Sequence, residues 1–179
     1  MYTQPPVRIR LLAVGAVLLL FGLIWLYTRE FPILSNTIGV RWLLAGSAGA
    51  GVLLGCGILY ALRQRLTPVE QHLPEVFTAL IFSVLFMPLF ASILNRAGGK
   101  TEYQSFEFVS EMPYLSSNYG LLKGEKIKPS GYSLRVKEGA RLYRFQYKSQ
   151  AYYPLTKPGE TVSLPVCNGL LGFRIMELK

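Results

Sequence analysis

The chain has no aspartate, a single histidine and only two cysteines. Without aspartate, Ser-His-Asp chemistry is closed off, and a glutamate variant would have to recruit His72. Cys56 lies inside an apolar run and Cys167 near the C-terminus, so no intrachain bridge is expected and the redox compartment is left open. Cys167 has no histidine near it in sequence to activate it, and it reads as a small apolar packing residue. No CxxC pair, Walker loop, Rossmann fingerprint, Asn-x-Ser/Thr acceptor or internal repeat is present. Negative charge is scarce as well: ten carboxylates stand against nineteen Lys/Arg, a formal charge of +9. In the second half, Glu102, Glu107, Glu111, Glu125, Glu138, Glu160 and Glu177 show no spacing that singles out a catalytic pair. These absences argue against an enzyme, and no cofactor or metal is expected.

Long apolar runs are what the chain has instead. Residues 11–27, 42–62 and 76–94 carry no charge, and each is near the ~20 residues needed to cross a hydrocarbon core. A soluble core helix would show polar residues at helical period, and these runs show almost none. The expected architecture is a transmembrane domain of three helices over residues 1–100. The first run could be a cleaved signal peptide, since Arg8 and Arg10 precede it. Its length and the exit Thr28-Arg29-Glu30-Phe31-Pro32, which lacks a small-x-small pattern, favour a retained anchor. The connection 28–41 is expected at the interface, with Trp25, Tyr27 and Trp42 as aromatic anchors. Pro74 and Glu75 suit the first turn of the third helix. Pro88 should bend that helix, and Asn95 to Lys100 should end it in a hinge.

Residues 45–57, AGSAGAGVLLGCG, put five glycines and three alanines inside the second run. Ser47, Gly51 and Gly55 recur every four residues and form one stripe. Lipid tails are as apolar as leucine, so helices associate in a bilayer through close backbone approach that small residues permit. The stripe is read as a packing seam, within the chain or between copies. A pore lined by small residues would lack the polar or charged rings of channels. The loop Glu70-Gln71-His72-Leu73-Pro74-Glu75 holds metal-capable side chains at the membrane surface, but its spacing defines no metal motif. It reads as a solvated loop.

From Thr101 the pattern changes to period two. YQSFEFV (103–109), YSLRV (132–136), RLYRFQY (141–147), TVSLPV (161–166) and FRIMEL (173–178) each align apolar side chains on one face. Turn residues at 137–140, 157–160 and 168–169 separate four of them. They indicate a small all-β C-terminal domain over 101–179, an antiparallel sandwich or OB-like barrel of roughly eighty residues. Several membrane helices followed by such a domain resemble the NfeD-type membrane proteins, which carry an OB-like domain. The best local likeness is KPGETVSLPVCNGLLGFRI (157–175), about a ninth of the chain.

The β-domain holds eleven Lys/Arg against seven Glu, a net +4. Arg141, Tyr143, Phe145 and Tyr147 along one strand could form a stacking platform, with Arg141, Tyr143 and Tyr147 as surface contacts. The competing reading makes the rings the core of the barrel. The spare positive charge suits anionic lipid headgroups, and no nucleic-acid partner is expected.

The expected function is an integral membrane binding, assembly or accessory protein that presents a small β-domain at the membrane surface. The alternative is an oligomeric channel or transporter subunit. Expected partners are the bilayer and either a second copy or another membrane protein. Basic residues near helix ends tend to stay cytoplasmic. Arg8, Arg10, Arg63 and Arg65 oppose Arg29, Arg41, Arg96 and Lys100, and the tight VRIR and RQR clusters favour a cytoplasmic N-terminus. A multi-pass inner (plasma) membrane protein with its β-domain on the outer or periplasmic side is the resulting expectation.

Overall fold

A computed structural model describes residues 7–115, 129–148 and 150–178; Glu125 falls outside them. Three helices come first: α1 (Val7–Ser35), α2 (Val40–Ala61) and α3 (Leu73–Ala97), the last preceded by a 3₁₀ turn over Val69–His72. All three are long and apolar enough to cross a membrane. Five strands follow: β1 (Lys100–Tyr114), β2 (Gly131–Glu138), β3 (Arg141–Tyr147), β4 (Thr161–Asn168) and β5 (Arg174–Met176).

α1 runs past residue 27, through Pro32, to Ser35. Proline inside a helix forfeits one ladder bond, here the one Thr28 would have received. The chain then leaves the helix through tight local bonds. Asn36 N–H donates to the Pro32 and Ile33 carbonyls at 3.2 and 3.1 Å, and the Thr37 hydroxyl donates to Ile33 O at 2.8 Å. Gly39 reverses the chain at φ +80°, a conformation other residues rarely adopt. The connection therefore shrinks from the expected 28–41 to 36–39. At the other helix boundary, Pro74 and Glu75 occupy the first turn of α3.

The chain forms two compact units: Met1–Phe31 with Ala45–Ala91, and Pro32–Leu44 with Ser92–Lys179. The second unit thus takes in the α1–α2 connection and the last turns of α3, beyond the 101–179 read from sequence.

In the helical unit, α2 meets α3 through glycine. A Cβ added at Gly51 would lie 2.7 Å from Ser83 O and 2.9 Å from Val84 Cα, inside any real contact distance. At Gly55 it would lie 3.0 Å from the Leu80 side chain. Gly46, Gly49 and Gly57 have open space where a Cβ would go. α1 keeps none of its most apolar stretch buried.

The β-unit is one antiparallel sheet in the order β3-β2-β1-β4-β5, curled into a near-barrel. Its long first strand makes the curl possible. Lys100–Glu107 pair with β4, Glu107–Tyr114 pair with β2, and a bulge between Phe108 and Ser110 bends the strand where it changes partners. Phe106, Phe108, Leu134, Val136, Phe145, Val162, Leu164 and Val166 fill the interior, as their alternation implies. Ile38, from the α1–α2 connection, packs against the same cluster.

That connection also spans the two sheet edges. On the β5 side, Ile38 N–H donates to Arg174 O at 2.7 Å and Met176 N–H to Asn36 O at 3.0 Å, with Thr37 bridged to Ile175. On the β3 side the link is a side chain. The Asn36 amide nitrogen donates to Gln146 O at 2.7 Å, and its oxygen accepts from Gln146 N–H at 2.9 Å. A carboxamide has the donor and acceptor of a peptide group, so Asn36 substitutes for one residue of a sixth strand. Asn95, near the end of α3, does similar work. It donates to Phe173 O and accepts from Leu171 N–H, both at 3.0 Å, while its own carbonyl accepts from Leu170 N–H at 2.7 Å. The segment expected as a hinge is therefore pinned: α3 continues to Ala97, and β1 begins at Lys100.

Candidate functional site

Residues 35–42 and the outer edge of β3 line an open groove of about 740 Å³. Asn36 sets its position by tying the connection to Gln146 at one end of β3. Farther along, the connection diverges from the strand, and the space between them is the groove. Arg41 and Trp42 line one wall; Arg141, Tyr143 and Arg144 line the other.

Its electrostatics are one-sided. Three arginines line the groove, and no carboxylate is among its described lining residues. Glu138, the cross-strand partner of Arg141, also accepts from the Tyr143 hydroxyl, while Arg174 grips both its oxygens at 2.8 and 2.7 Å and also reaches Gln104 at 2.9 Å. Hydrogen bonding from Arg174 holds the Glu138 carboxyl below the usual glutamate range, opposed by partial burial, and raises Arg174 in turn. Arg144 donates to the Ser133 hydroxyl at 2.9 Å, a neutral partner. Among the described residues, Arg41 makes no ion pair, and Arg141 is attracted to Glu138 across the β2–β3 pair without a close ion pair. α2 begins beside the groove with Arg41 in its first turn and no acidic residue there, an arrangement the helix dipole disfavours. Trp42 is 77% exposed, a large apolar ring left facing outward at the start of an apolar helix.

The residues singled out from sequence separate into three places. Arg141 and Tyr143 line the groove. Tyr147 does not: it is 3% exposed, stacks on Tyr132 with ring centroids 6.0 Å apart, and gives its hydroxyl to Glu111. This corrects the surface-contact reading of Tyr147. The bulk of its ring is better buried than wet, and the Glu111 carboxylate, which also takes Tyr152 and Tyr153 N–H, satisfies its hydroxyl. The platform reading of the strand therefore keeps Arg141 and Tyr143 only. Ser47, Gly51 and Gly55 lie in the helical unit, with Ser47 and the seam described above buried.

His72 Nδ1 lies 3.7 Å from Glu75, and among the described residues no three His, Cys, Asp or Glu side chains gather as a metal site would require. Cys167 is buried against Gly99, and desolvation pushes its thiol up, away from the reactive thiolate form.

Three residues that matter to the site carried little sequence signal. Arg41 and Trp42 read as a topology charge and an interface anchor, with nothing to tie them to residues a hundred positions away. Asn36 read as ordinary loop; its one cue is an uncharged amide beside an apolar helix, where an unpaired polar group is costly. Comparison with family models, curated proteins and solved structures finds no match to this chain.

Proposed function

We propose that this is an integral membrane protein whose three helices span the bilayer and whose β-unit is a binding or accessory module held at the membrane surface. The observation that carries this reading is the use of the α1–α2 connection as part of the β-unit. Asn36 and Ile38, the link between two apolar helices, supply edge bonds and core contact to the sheet. A β-domain on a free linker could wander from the membrane; one that borrows a strand segment from between two spans stays beside it. The strand order and the shared, bulged β1 support an OB-like barrel over a two-sheet sandwich, with residues 36–38 filling the gap between its edge strands.

With the N-terminus in the cytoplasm, three spans put the β-unit on the outer face, where envelope components or partner proteins are within reach. The test is a Leu155→Cys reporter, 93% exposed, in a Cys56→Ser, Cys167→Ser background. It should react with a membrane-impermeant maleimide once the outer barrier is opened, and the protein should resist alkaline extraction from membranes. Labelling only after lysis of the inner membrane would reverse the orientation, and release by alkali would remove the membrane reading altogether.

A further inference from the structure

We propose that the groove between residues 35–42 and β3 binds the phosphate headgroup of an anionic phospholipid; this rests on the membrane reading above. Three properties of the groove point to that ligand together. Arg41, Arg141 and Arg144 all line it with no carboxylate among the described lining residues, and Glu138, which attracts Arg141, already has both oxygens held by Arg174. Guanidinium groups present fork-shaped donors that match phosphate oxygens, two at a time. Trp42 and Tyr143 then supply flat amphipathic faces beside the charge, the combination that suits the glycerol and upper acyl region of a lipid.

The third property is height. Residues 36–39 join two helices that each have the length and composition of a membrane span. Covalent continuity keeps their flanks within a few residues of the hydrocarbon boundary, where headgroups are concentrated. A soluble phosphate compound would satisfy the arginines but would leave the outward ring of Trp42 without an apolar partner. A lipid satisfies both. Bound there, the headgroup would neutralise Arg41 in the first turn of α2, where the helix dipole leaves that cation unfavourably placed.

The chain has two tryptophans, so Trp25→Phe leaves Trp42 as the only indole and a reporter inside the proposed site. The full-length W25F protein would be reconstituted in phosphatidylcholine vesicles with a small fraction of phosphatidylglycerol. Either the phosphatidylglycerol or an equal amount of the phosphatidylcholine would be brominated high on its chains. Brominated phosphatidylglycerol should quench Trp42 more strongly at equal mole fraction. Arg41→Gln and Arg141→Gln should each lower that preference about fivefold, while Arg41→Lys and Arg141→Lys retain most of it.

Equal quenching by the two lipids overturns the inference. So does loss of the preference when inorganic phosphate replaces chloride at constant ionic strength, since that assigns the groove to a soluble anion. Flotation of the vesicles separates the two levels. Protein that fails to float removes the membrane reading and this inference with it, whereas protein that floats without lipid preference removes the inference alone. Should a glutamine variant fail to fold, the lipid comparison and the phosphate arm on W25F still decide the matter.

Discussion

The two units handle apolar surface in opposite ways. In the β-unit, Leu134, Val136, Leu164 and Val166 are wholly buried, and polar residues alternate with them on the outside. In the helical unit, Leu18, Phe21 and Leu53 are 66, 66 and 75% exposed, and the close contact between α2 and α3 is made by glycine instead of leucine. Water drives apolar side chains inward, so the β-unit shows a conventional core. In the bilayer proposed for the helical unit, hydrocarbon would supply no such drive, and helices would gain from contact only where their backbones approach closely. The β-unit is joined at its edges by the amides of Asn36 and Asn95, both buried, each giving and receiving hydrogen bonds over long sequence separations.

Breaking those amide links should give the largest effect. Asn36→Ala removes two side-chain hydrogen bonds and leaves the Gln146 backbone without either, and Asn95→Ala leaves Leu171 N–H without its acceptor while Phe173 O keeps only the Gly169 N–H. Each is expected to cost about 2–4 kcal/mol. Hydrogen exchange should accelerate at Gln146 in the first variant and at Leu171 in the second, with the α2–α3 contact unaffected. Uniform acceleration throughout the chain would mean that the two units unfold as one, and the comparison would lose its force.

The glycine seam comes next. Gly51→Leu drives side-chain atoms into the Ser83–Val84 backbone and should destabilise the helical unit by about 1–3 kcal/mol in a detergent titration. Gly49→Ala, two residues away with open space around it, should be nearly silent. If the two variants behaved alike, close packing at Gly51 would not be what holds α2 to α3.

A smaller effect is expected from Glu138→Gln, which removes the negative charge and one of the two acceptor oxygens of the Arg174 fork. Because Glu138 titrates below its ordinary value, its ionised form contributes stability above the usual glutamate range of about 4.3, and that contribution fades as pH falls through the depressed folded value. The pair is partly exposed, so a loss of about 1 kcal/mol or less is expected at pH 7. In thermal melts, the variant and parent should converge under strongly acidic conditions. A difference that persisted unchanged there would assign the loss to packing.

The helices were legible as uncharged apolar runs, and the five strands as alternation, because burial at a given period is recorded residue by residue. Element ends were less so. α1 continues through Pro32 to Ser35, beyond the uncharged run that ends at residue 27. Tyr147 shares its face with Tyr143 and Phe145, and local sequence has no means of separating a ring at the rim from one at the centre. Its burial depends on Glu111 and Tyr152 lying across it.

Charge excess, the three apolar runs and the strand periodicity belong to the sequence by itself, since hydropathy and repeat spacing are properties of single residues and their neighbours. Tertiary structure decided the rest. It closed the sheet with an asparagine 110 positions from its partner, removed Tyr147 from the surface, and brought Arg41 and Trp42 opposite Arg141 and Arg144. Hydrogen-bond partners and the charge of a groove depend on which distant segments meet, and chain folding, not local composition, determines that.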